Sequence, residues 1–447
     1  MKERNHFLEK IKKIIISALF CAVFATFFSA CGGLNENGSG NMPENASQGL
    51  EYELSADNSY YTVTGLGACL DENVVIPSAL NGKPVKVIAE KAFKNCTEII
   101  EITIPDSVIR IEKEAFLSCT ELEKVQLSNG IKTIPDDCFR MCYKLNEINF
   151  PATVTKIGNG AFIGCAFTEL TIPNTVTTIG SRAFYTCSKL ESVVLPNTIS
   201  SISDFMFYKC SVLQEIALPE TVKSIQNDAF NGCSSLREIH FPNGLETIGE
   251  NAFYESGLQT LKFSDSIKTV GGYAFNNCKE LLSVDFSNGN LTLGRSAFSQ
   301  CEKLETVKLS NLLTNIPEYA FAWCERLKSI AIPDSVETLG EHAFTGCESL
   351  KTVIIGNGVT VINMGAFSSC GSLESVVIGS GVSSISSGAF SYCDNLASVD
   401  FKNKSGWSLY YSDGEKVKTF TATELADVGF AANALKREYS YLDWKRA

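Results

Sequence analysis

Cysteine is the residue whose number and spacing first suggest chemistry in this chain of 447 residues. It has 17 Cys, and 13 of them each stand three residues after a Phe, mostly at steps of 22 or 23 residues. We call these the ladder cysteines: Cys96, Cys119, Cys142, Cys165, Cys187, Cys210, Cys233, Cys278, Cys301, Cys324, Cys347, Cys370 and Cys393. Thiols repeated in this way could form disulfides, bind a metal or pack as buried side chains.

The spacing favours packing. A zinc site needs several ligands that converge, often as two Cys two to four residues apart. Side chains in register on neighbouring parallel strands are about 4.8 Å apart and point the same way, whereas a disulfide requires Cβ atoms about 3.5–4.5 Å apart and facing each other. A free Cys packs as a small buried hydrophobe. We therefore predict buried thiols; some disulfides remain the alternative for an exported chain.

Histidine offers little for catalysis or metal binding. Of the three His, His6 lies in a segment that we expect to be removed. His240 and His342 fall four or five repeats apart, which is about 20 Å at the spacing of parallel strands. Neither a nucleophile motif, a phosphate-binding glycine loop nor a zinc-protease motif occurs in the sequence. We predict no catalytic residues, no metal site and no cofactor.

Composition indicates a folded, acidic protein. Hydrophobic residues make up 45% of the chain and charged residues 20%, with a net charge of −12. No basic cluster lies outside the first 13 residues. An acidic chain of this kind is a poor partner for nucleic acid or for an anionic membrane surface.

The first 50 residues read as an export and anchoring segment. Residues 1–30 have a basic start, an apolar run over 14–28 and small residues at 29–30, which is typical of a secretory signal. The junction that ends in Cys31 resembles a bacterial lipobox, so we predict a lipoprotein signal peptide over 1–30 and lipid on Cys31. An ordinary secretory signal is the alternative. Residues 31–50 are rich in Gly, Asn and Ser, which indicates a flexible tether.

A repeat of 22–23 residues fills the chain from 92 to 401. Fourteen Phe mark it, usually after Ala: Phe93, Phe116, Phe139, Phe162, Phe184, Phe207, Phe230, Phe253, Phe275, Phe298, Phe321, Phe344, Phe367 and Phe390. Apolar residues then alternate as in L-x-x-V-x-L, which predicts a short strand with one buried face. Both 22-residue repeats lack a residue just after the Cys position, at Cys165 and at Ser256. One unit is too small to fold alone, so the repeats must stack.

This pattern resembles the signature of the BspA-like leucine-rich repeat family. The resemblance implies a horseshoe-shaped solenoid, with a parallel β-sheet on its concave face and short turns and strands on the convex side. It also implies a secreted or surface protein that binds other macromolecules, often as an adhesin. No catalytic residue set comes with it.

The two ends of the array are expected to be caps. Residues 51–91 contain alternating segments and the turn Asn81-Gly82, which predicts a β cap. The period stops after Phe401, and 402–447 is predicted to be a helical C-terminal cap. Within it, an amphipathic helix is expected over 421–442, starting at a capping box formed by Thr421 and Glu424.

The concave face carries the candidate site. The outward residue before each inward Val or Ile changes from mostly Glu in the N-terminal half to Ser and Thr in the C-terminal half, while the outward residue after it varies in type. An apolar strip accompanies the hydroxyl residues at Ala331, Ile354 and Val377. We predict a protein-binding surface formed by Lys262, Asp285, Thr306, Lys308, Ser329, Ala331, Thr352, Ile354, Ser375 and Val377. Strand packing and solubility are the simpler explanation of the same residues.

The resulting functional hypothesis is a lipid-anchored protein on the bacterial cell surface that binds without catalysis. The expected partner is a protein of the host matrix or of a bacterial surface. A glycan partner and a structural spacer without a specific ligand are the alternatives. The sheet positions contain no aromatic residue of the kind that glycan platforms present. Contact with a membrane is expected only through the lipid.

Overall fold

The structure, a computed structural model, describes residues 45–286 and 289–446. The predicted signal peptide, Cys31 and most of the predicted tether therefore lie outside the described residues. From residue 92 onward the repeats contribute short strands to two parallel ladders, and the strands of a ladder stack in sequence order. The repeat that contains His240 contributes only an isolated bridge to the first ladder. The predicted parallel-strand solenoid is confirmed.

The first ladder contains the strand that follows each Cys. Within four groups of strands, neighbours pair in parallel and in register, as where Ile102 pairs with Val125. The groups are separated after Ile148, after Ala217 and after Lys308. After Asn73–Val75, the strands are Glu101–Thr103, Lys124–Gln126, Glu147–Ile148, Glu169–Thr171, Ser192–Val194, Glu215–Ala217, Thr260–Lys262, Ser283–Asp285, Thr306–Lys308, Ser329–Ile332, Thr352–Ile355, Ser375–Ile378 and Ser398–Phe401. Their central Val, Ile or Leu points into the core, so the flanking residues point outward.

The second ladder returns the chain along the other side of the core. Its strands have two residues, of which the second is buried. After Lys83–Ile88, they are Arg110–Ile111, Thr133–Ile134, Lys156–Ile157, Thr178–Ile179, Ser201–Ile202, Ser224–Ile225, Thr247–Ile248, Thr269–Val270, Thr292–Leu293, Asn315–Ile316, Thr338–Leu339, Val361–Ile362 and Ser384–Ile385.

The fourteen signature Phe form one continuous stack between the ladders. All are buried, and successive rings lie 5.1–5.7 Å apart between centroids with planes inclined by 2–14°. Offset stacking of this kind suits the aromatic quadrupole. The turn that holds each Phe also bonds to the next repeat, as where the Phe93 N–H donates to the Ala115 carbonyl at 2.8 Å.

The ladder thiols lie beside this stack and bond across it. Twelve of the thirteen donate to the carbonyl of the Phe in the preceding repeat, with Sγ to O distances of 3.0–3.3 Å. All 15 Cys of the described residues are free thiols. Burial raises the pKa of Cys187, Cys278 and Cys347 to about 12. These thiols therefore stay protonated, which keeps them as donors and makes them poor nucleophiles.

Each repeat turns twice through the left-handed backbone region. The residue before Ala of the Ala-Phe pair and the residue before Cys both have positive φ, as at Glu114 (56°) and Ser118 (62°). Side chains other than Gly occupy most of these positions, although such a conformation disfavours them. The turn is held from outside by its bonds to the neighbouring repeats.

The N-terminal residues form short strands that lead into the ladders. These strands are Glu51–Leu54, Tyr61–Gly65, Asn73–Val75, Ala79–Leu80 and Lys83–Ile88. Asn81 and Gly82, with φ of 50° and 76°, make the two-residue turn of an antiparallel hairpin. Lys83–Ile88 pairs in parallel with Arg110–Ile111, so this segment is continuous with the second ladder.

The C-terminal residues differ from the single helix expected over 421–442. The helical part is a 3-10 turn at Glu424–Ala426, an α-helix at Val428–Asn433 and a π-helix at Ala434–Glu438. The predicted capping box is present, since the Thr421 N–H donates to Glu424 and the Glu424 N–H donates to the Thr421 hydroxyl. The helix breaks at Asp427, which has extended backbone and starts the α-helix by accepting two backbone N–H bonds.

Three further strands accompany these helices, which the sequence reading did not predict. Trp407–Tyr410 and Lys416–Thr419 form a hairpin, and Asp443–Arg446 pairs antiparallel both with Trp407–Tyr410 and with Ser384–Ile385 of the second ladder. Trp407 and Trp444 are buried against Phe401, the last inward residue of the first ladder. The segment therefore covers the final repeat with strands as well as helices.

Candidate interaction surface

The predicted apolar strip lies on the longest first-ladder strands. Ala331 pairs with Ile354, and Ile354 pairs with Val377, so the three side chains are neighbours on one face. Ala331 and Ile354 are exposed, with 53% of Ile354 accessible, while Val377 is half-buried. The inward residues of the same strand, Val353 and Ile355, are 1% and 2% exposed. The strip is therefore an outward surface, as its phase in the sequence predicts.

Hydroxyl residues run beside the strip. Ser329, Thr352 and Ser375 are paired in register, which places three hydroxyl groups next to one another. Ser329 and Thr352 are exposed and Ser375 is half-buried. Thr306 belongs to the preceding strand, which is not paired with Ser329–Ile332 in the sheet. The structure thus joins three of the four predicted hydroxyl residues into a continuous column.

The charged residues of the prediction form a separate group. Lys262 pairs in register with Asp285, and Asp285 with Lys308. The Lys308 ammonium lies 3.3 Å from the Asp285 carboxylate, in an ion pair that solvent reaches. A pair of this kind contributes little to stability. It leaves the C-terminal face nearly neutral beside the apolar strip.

Another apolar position of the first ladder is as exposed as the strip. Val194 is 59% exposed and pairs with Ala217 on the next strand. Both lie in the N-terminal half, where the outward neighbours include Glu169 and Glu215. Val194 and Ile354 are exposed to a similar extent, so exposure does not distinguish them. Their surroundings do, because Glu residues lie around Val194, whereas Ser, Thr, Ala and Val lie around Ile354.

The sequence reading missed an opening in the first ladder. Strands Glu147–Ile148 and Glu169–Thr171 are consecutive but not paired, and a cavity of about 420 Å³ lies between them. Its lining includes Ile148 and Phe150, both half-buried although they occupy inward positions. The signal was present in the sequence, because Glu169–Thr171 belongs to a repeat of 22 residues.

The two His of the described residues lie in different surroundings. His240 is exposed on the first ladder, whereas His342 is half-buried and stacks on Tyr319 with 5.0 Å between ring centroids. Within residues 45–286 and 289–446, no group of three His, Cys, Asp or Glu side chains could hold a metal ion.

Comparison with known proteins agrees with this geometry. The family described as BspA type leucine rich repeat region (6 copies) matches four overlapping ranges, 69–168, 155–281, 200–328 and 314–421. Together they cover most of the chain. The protein belongs to the BspA-type leucine-rich repeat family. Its members are typically bacterial cell-surface proteins, and leucine-rich repeat folds generally mediate interactions between proteins.

Solved structures include similar bacterial proteins. A leucine-rich repeat protein from Bacteroides ovatus ATCC 8483 is 32% identical with a TM-score of 0.75, over 80% of this chain and 94% of that one. A leucine rich cell surface protein from Faecalibacterium prausnitzii A2-165 is 25% identical with a TM-score of 0.48, over 82% and 96%. A search of curated protein sequences found no match. Across the described residues, no helix of this BspA-type protein is long and apolar enough to cross a membrane.

Proposed function

We propose that this chain is a surface-anchored, non-enzymatic protein that binds a protein partner through the outward face of its C-terminal first-ladder strands. The observation that carries the proposal is the exposed Ile354 between Ala331 and Val377 on a regular four-stranded sheet. Contiguous exposed apolar residues with a polar surround are typical of interaction sites. Rows of Ser and Thr beside them supply hydrogen-bonding groups without a net charge.

The rigidity of this region supports the same proposal. Strands Ser329–Ile332, Thr352–Ile355, Ser375–Ile378 and Ser398–Phe401 are all four residues long and paired without a shift in register. Outward side chains on such a sheet are held in fixed relative positions. A partner therefore meets a preorganised surface and loses less conformational entropy on binding.

Anchoring at Cys31 is the second part of the proposal. The lipid would hold the chain at the cell surface, with the residues up to 50 as a spacer before the repeats. Family membership supports the cell-surface location, and the signal-like start of the sequence supports the lipid. A glycan partner is the second candidate, but the outward first-ladder positions offer no aromatic ring to stack on a sugar.

The test begins with a screen of residues 45–447 against host matrix proteins, bacterial surface proteins and glycans. The hit is then titrated against Ile354→Lys and, as a matched control, Val194→Lys. Both side chains are more than half exposed on the same ladder, so both variants should stay within about 0.5 kcal/mol of wild-type stability. We expect Ile354→Lys alone to weaken binding, by about 2 kcal/mol if it is a hot spot. Equal binding by both variants would place the site elsewhere.

A further inference from the structure

The opening between Glu147–Ile148 and Glu169–Thr171, here named the first break, has a local cause in the sequence. The repeat after it lacks one residue behind Cys165, and Phe167 stands where other repeats have Leu. On the other side the Asn149 side chain bonds the backbone of Leu127, at 2.5 Å to its N–H and 3.2 Å to its carbonyl. In other repeats the N–H group at the position of Leu127 donates to a backbone carbonyl of the next repeat. Here the Asn149 side chain takes the place of that carbonyl, so the strand ends early at Ile148.

The first break leaves two strand edges and part of the core uncovered. Glu147–Ile148 pairs only with Lys124–Gln126, and Glu169–Thr171 only with Ser192–Val194. The cavity of about 420 Å³ between them is lined by Ile148, Phe150, Phe167 and Leu170. Ile148 and Phe150 are half-buried there, whereas Val125 and Leu127 in the preceding repeat are 1% exposed.

A second short repeat also interrupts the first ladder, but with different side chains at the interruption. The ladder is also interrupted between His240 and Thr260–Lys262, in the repeat that lacks a residue after Ser256. There Phe241 stacks on Phe263, with 5.5 Å between ring centroids and planes inclined by 10°. At the first break Ile172 stands at the position of Phe263, so this pair of stacked rings is absent there.

The charged residues around the opening determine which kind of ligand it attracts. Glu147 stands on one edge and Glu169 on the other, and both are exposed. Lys124 lies 2.6 Å from Glu147 and offsets one of the two charges. The outward column continues with Glu101 on one side and Glu215 on the other. The surroundings are therefore acidic, and a cationic ligand is attracted while an anionic one is repelled.

We propose that the first break is a docking site for an extended peptide segment in which apolar side chains alternate with Lys or Arg. One apolar side chain fills the cavity between Phe150, Phe167 and Leu170. The adjacent cationic side chains lie against Glu147 and Glu169. The peptide backbone pairs with the uncovered strand edges, which are the usual template for strand addition. This site is separate from the Ile354 strip and does not depend on it.

The test uses fluorescence anisotropy with a labelled heptapeptide of alternating leucine and lysine. Two comparison peptides replace lysine by glutamate or leucine by serine. Wild-type protein should bind the leucine–lysine peptide at least about ten-fold more tightly than either, and salt should weaken the binding. Glu147→Gln combined with Glu169→Gln should weaken it about three- to ten-fold, since two solvent-reached ion pairs are lost.

An insertion provides the sharper variant. One serine placed between Cys165 and Ala166 restores 23 residues to the repeat and should close the break, with about ten-fold or greater loss of binding. Its matched control inserts one serine between Ser256 and Gly257 and should bind as wild type. Circular dichroism and urea melts check that the variants fold. If the insertion does not fold, the double Gln variant tests the proposal instead, because its substituted side chains are exposed and should not affect folding.

Several results would overturn the proposal. The proposal is wrong if wild type does not bind the leucine–lysine peptide, or if it binds the glutamate peptide equally well. It is also wrong if the folded closing insertion or the double Gln variant keeps wild-type affinity. Displacement of the peptide by a neutral oligosaccharide alone would contradict it too. Ile354→Lys should leave this binding unchanged, which separates failure here from failure of the proposed function.

Discussion

Replacing Phe275 by Ala should divide the array into two parts that unfold separately. Phe275 is fully buried and has ring contacts on three sides. It stacks on Phe253 and on Phe298, each with 5.1 Å between centroids, and meets Phe263 edge to face at 5.9 Å. Truncating a buried Phe costs about 3–5 kcal/mol in the free energy of unfolding. Because repeats contact only their neighbours, the loss falls on two adjacent interfaces.

Phe93 is the matched control for that variant. It is also fully buried, but as the first ring of the stack it has one stacked neighbour, Phe116, at 5.2 Å. Each aromatic pair contributes about 0.5–1.5 kcal/mol beyond its buried area. With two fewer ring contacts, Phe93→Ala should cost about 1–3 kcal/mol less than Phe275→Ala. It should also leave the remaining repeats cooperative, because only one end of the stack is lost.

Urea melts followed by circular dichroism and by tryptophan fluorescence can measure both effects. Trp407 and Trp444 are buried beside the last repeat, so their fluorescence reports mainly the C-terminal part of the array. For Phe275→Ala we expect the two signals to change at different urea concentrations, and for Phe93→Ala to stay nearly together. The reasoning is wrong if Phe275→Ala loses less than about 1 kcal/mol, or if Phe93→Ala costs as much.

Three other predictions follow from the turns and the thiols. In native protein at pH 8, iodoacetamide should modify half-buried Cys96 before the fully buried ladder thiols, because the reagent can reach its sulfur; burial raises the pKa of Cys96 to about 12 as well, so even this reaction should be slow until denaturation exposes all the thiols. Mass spectrometry that finds disulfides in most of them would contradict the packing account. Tyr392 is 72% exposed and has a φ of 60°, a backbone conformation that Gly adopts more easily than Tyr. Tyr392→Gly should therefore raise the free energy of unfolding by about 0.5–1 kcal/mol in urea melts, with Tyr411→Gly as the control. A fatty-acid probe fed to cells should label the wild type and miss Cys31→Ala, and equal labelling would refute lipid attachment there.

The repeats were predictable from sequence because each inward position recurs many times. Phe and Cys at fixed spacing, with Val or Ile in the following strand, determine both ladders and the outward phase of Ile354. The first break was not predictable in the same way. A missing residue interrupts the ladder near Cys165 and again near Ser256, and the two places differ in that Phe241 stacks on Phe263 only at the second.

The C-terminal residues were harder still, because they occur once. Leu425, Ala432, Leu435 and Leu442 are buried, as the helical spacing suggests, but Val428 and Tyr439 of the same series are exposed and half-buried, respectively. However, Asp427 starts a new helix within that span, and Asp443–Arg446 adds a strand to the second ladder. Helical periodicity records which side chains are buried, but several short elements against one repeat can satisfy the same pattern.

The direction of the bonds between repeats determines how the molecule responds to force. Hydrogen bonds within each ladder run along the stacking axis, so tension along that axis loads the repeat interfaces in series. One repeat occupies about 4.8 Å of axis when stacked, whereas 23 residues of extended chain reach about 80 Å. Each repeat that detaches therefore lengthens the molecule by about 75 Å. The weakest interface yields first, so we expect extension to begin at an interface whose first-ladder strands are unpaired, such as the first break.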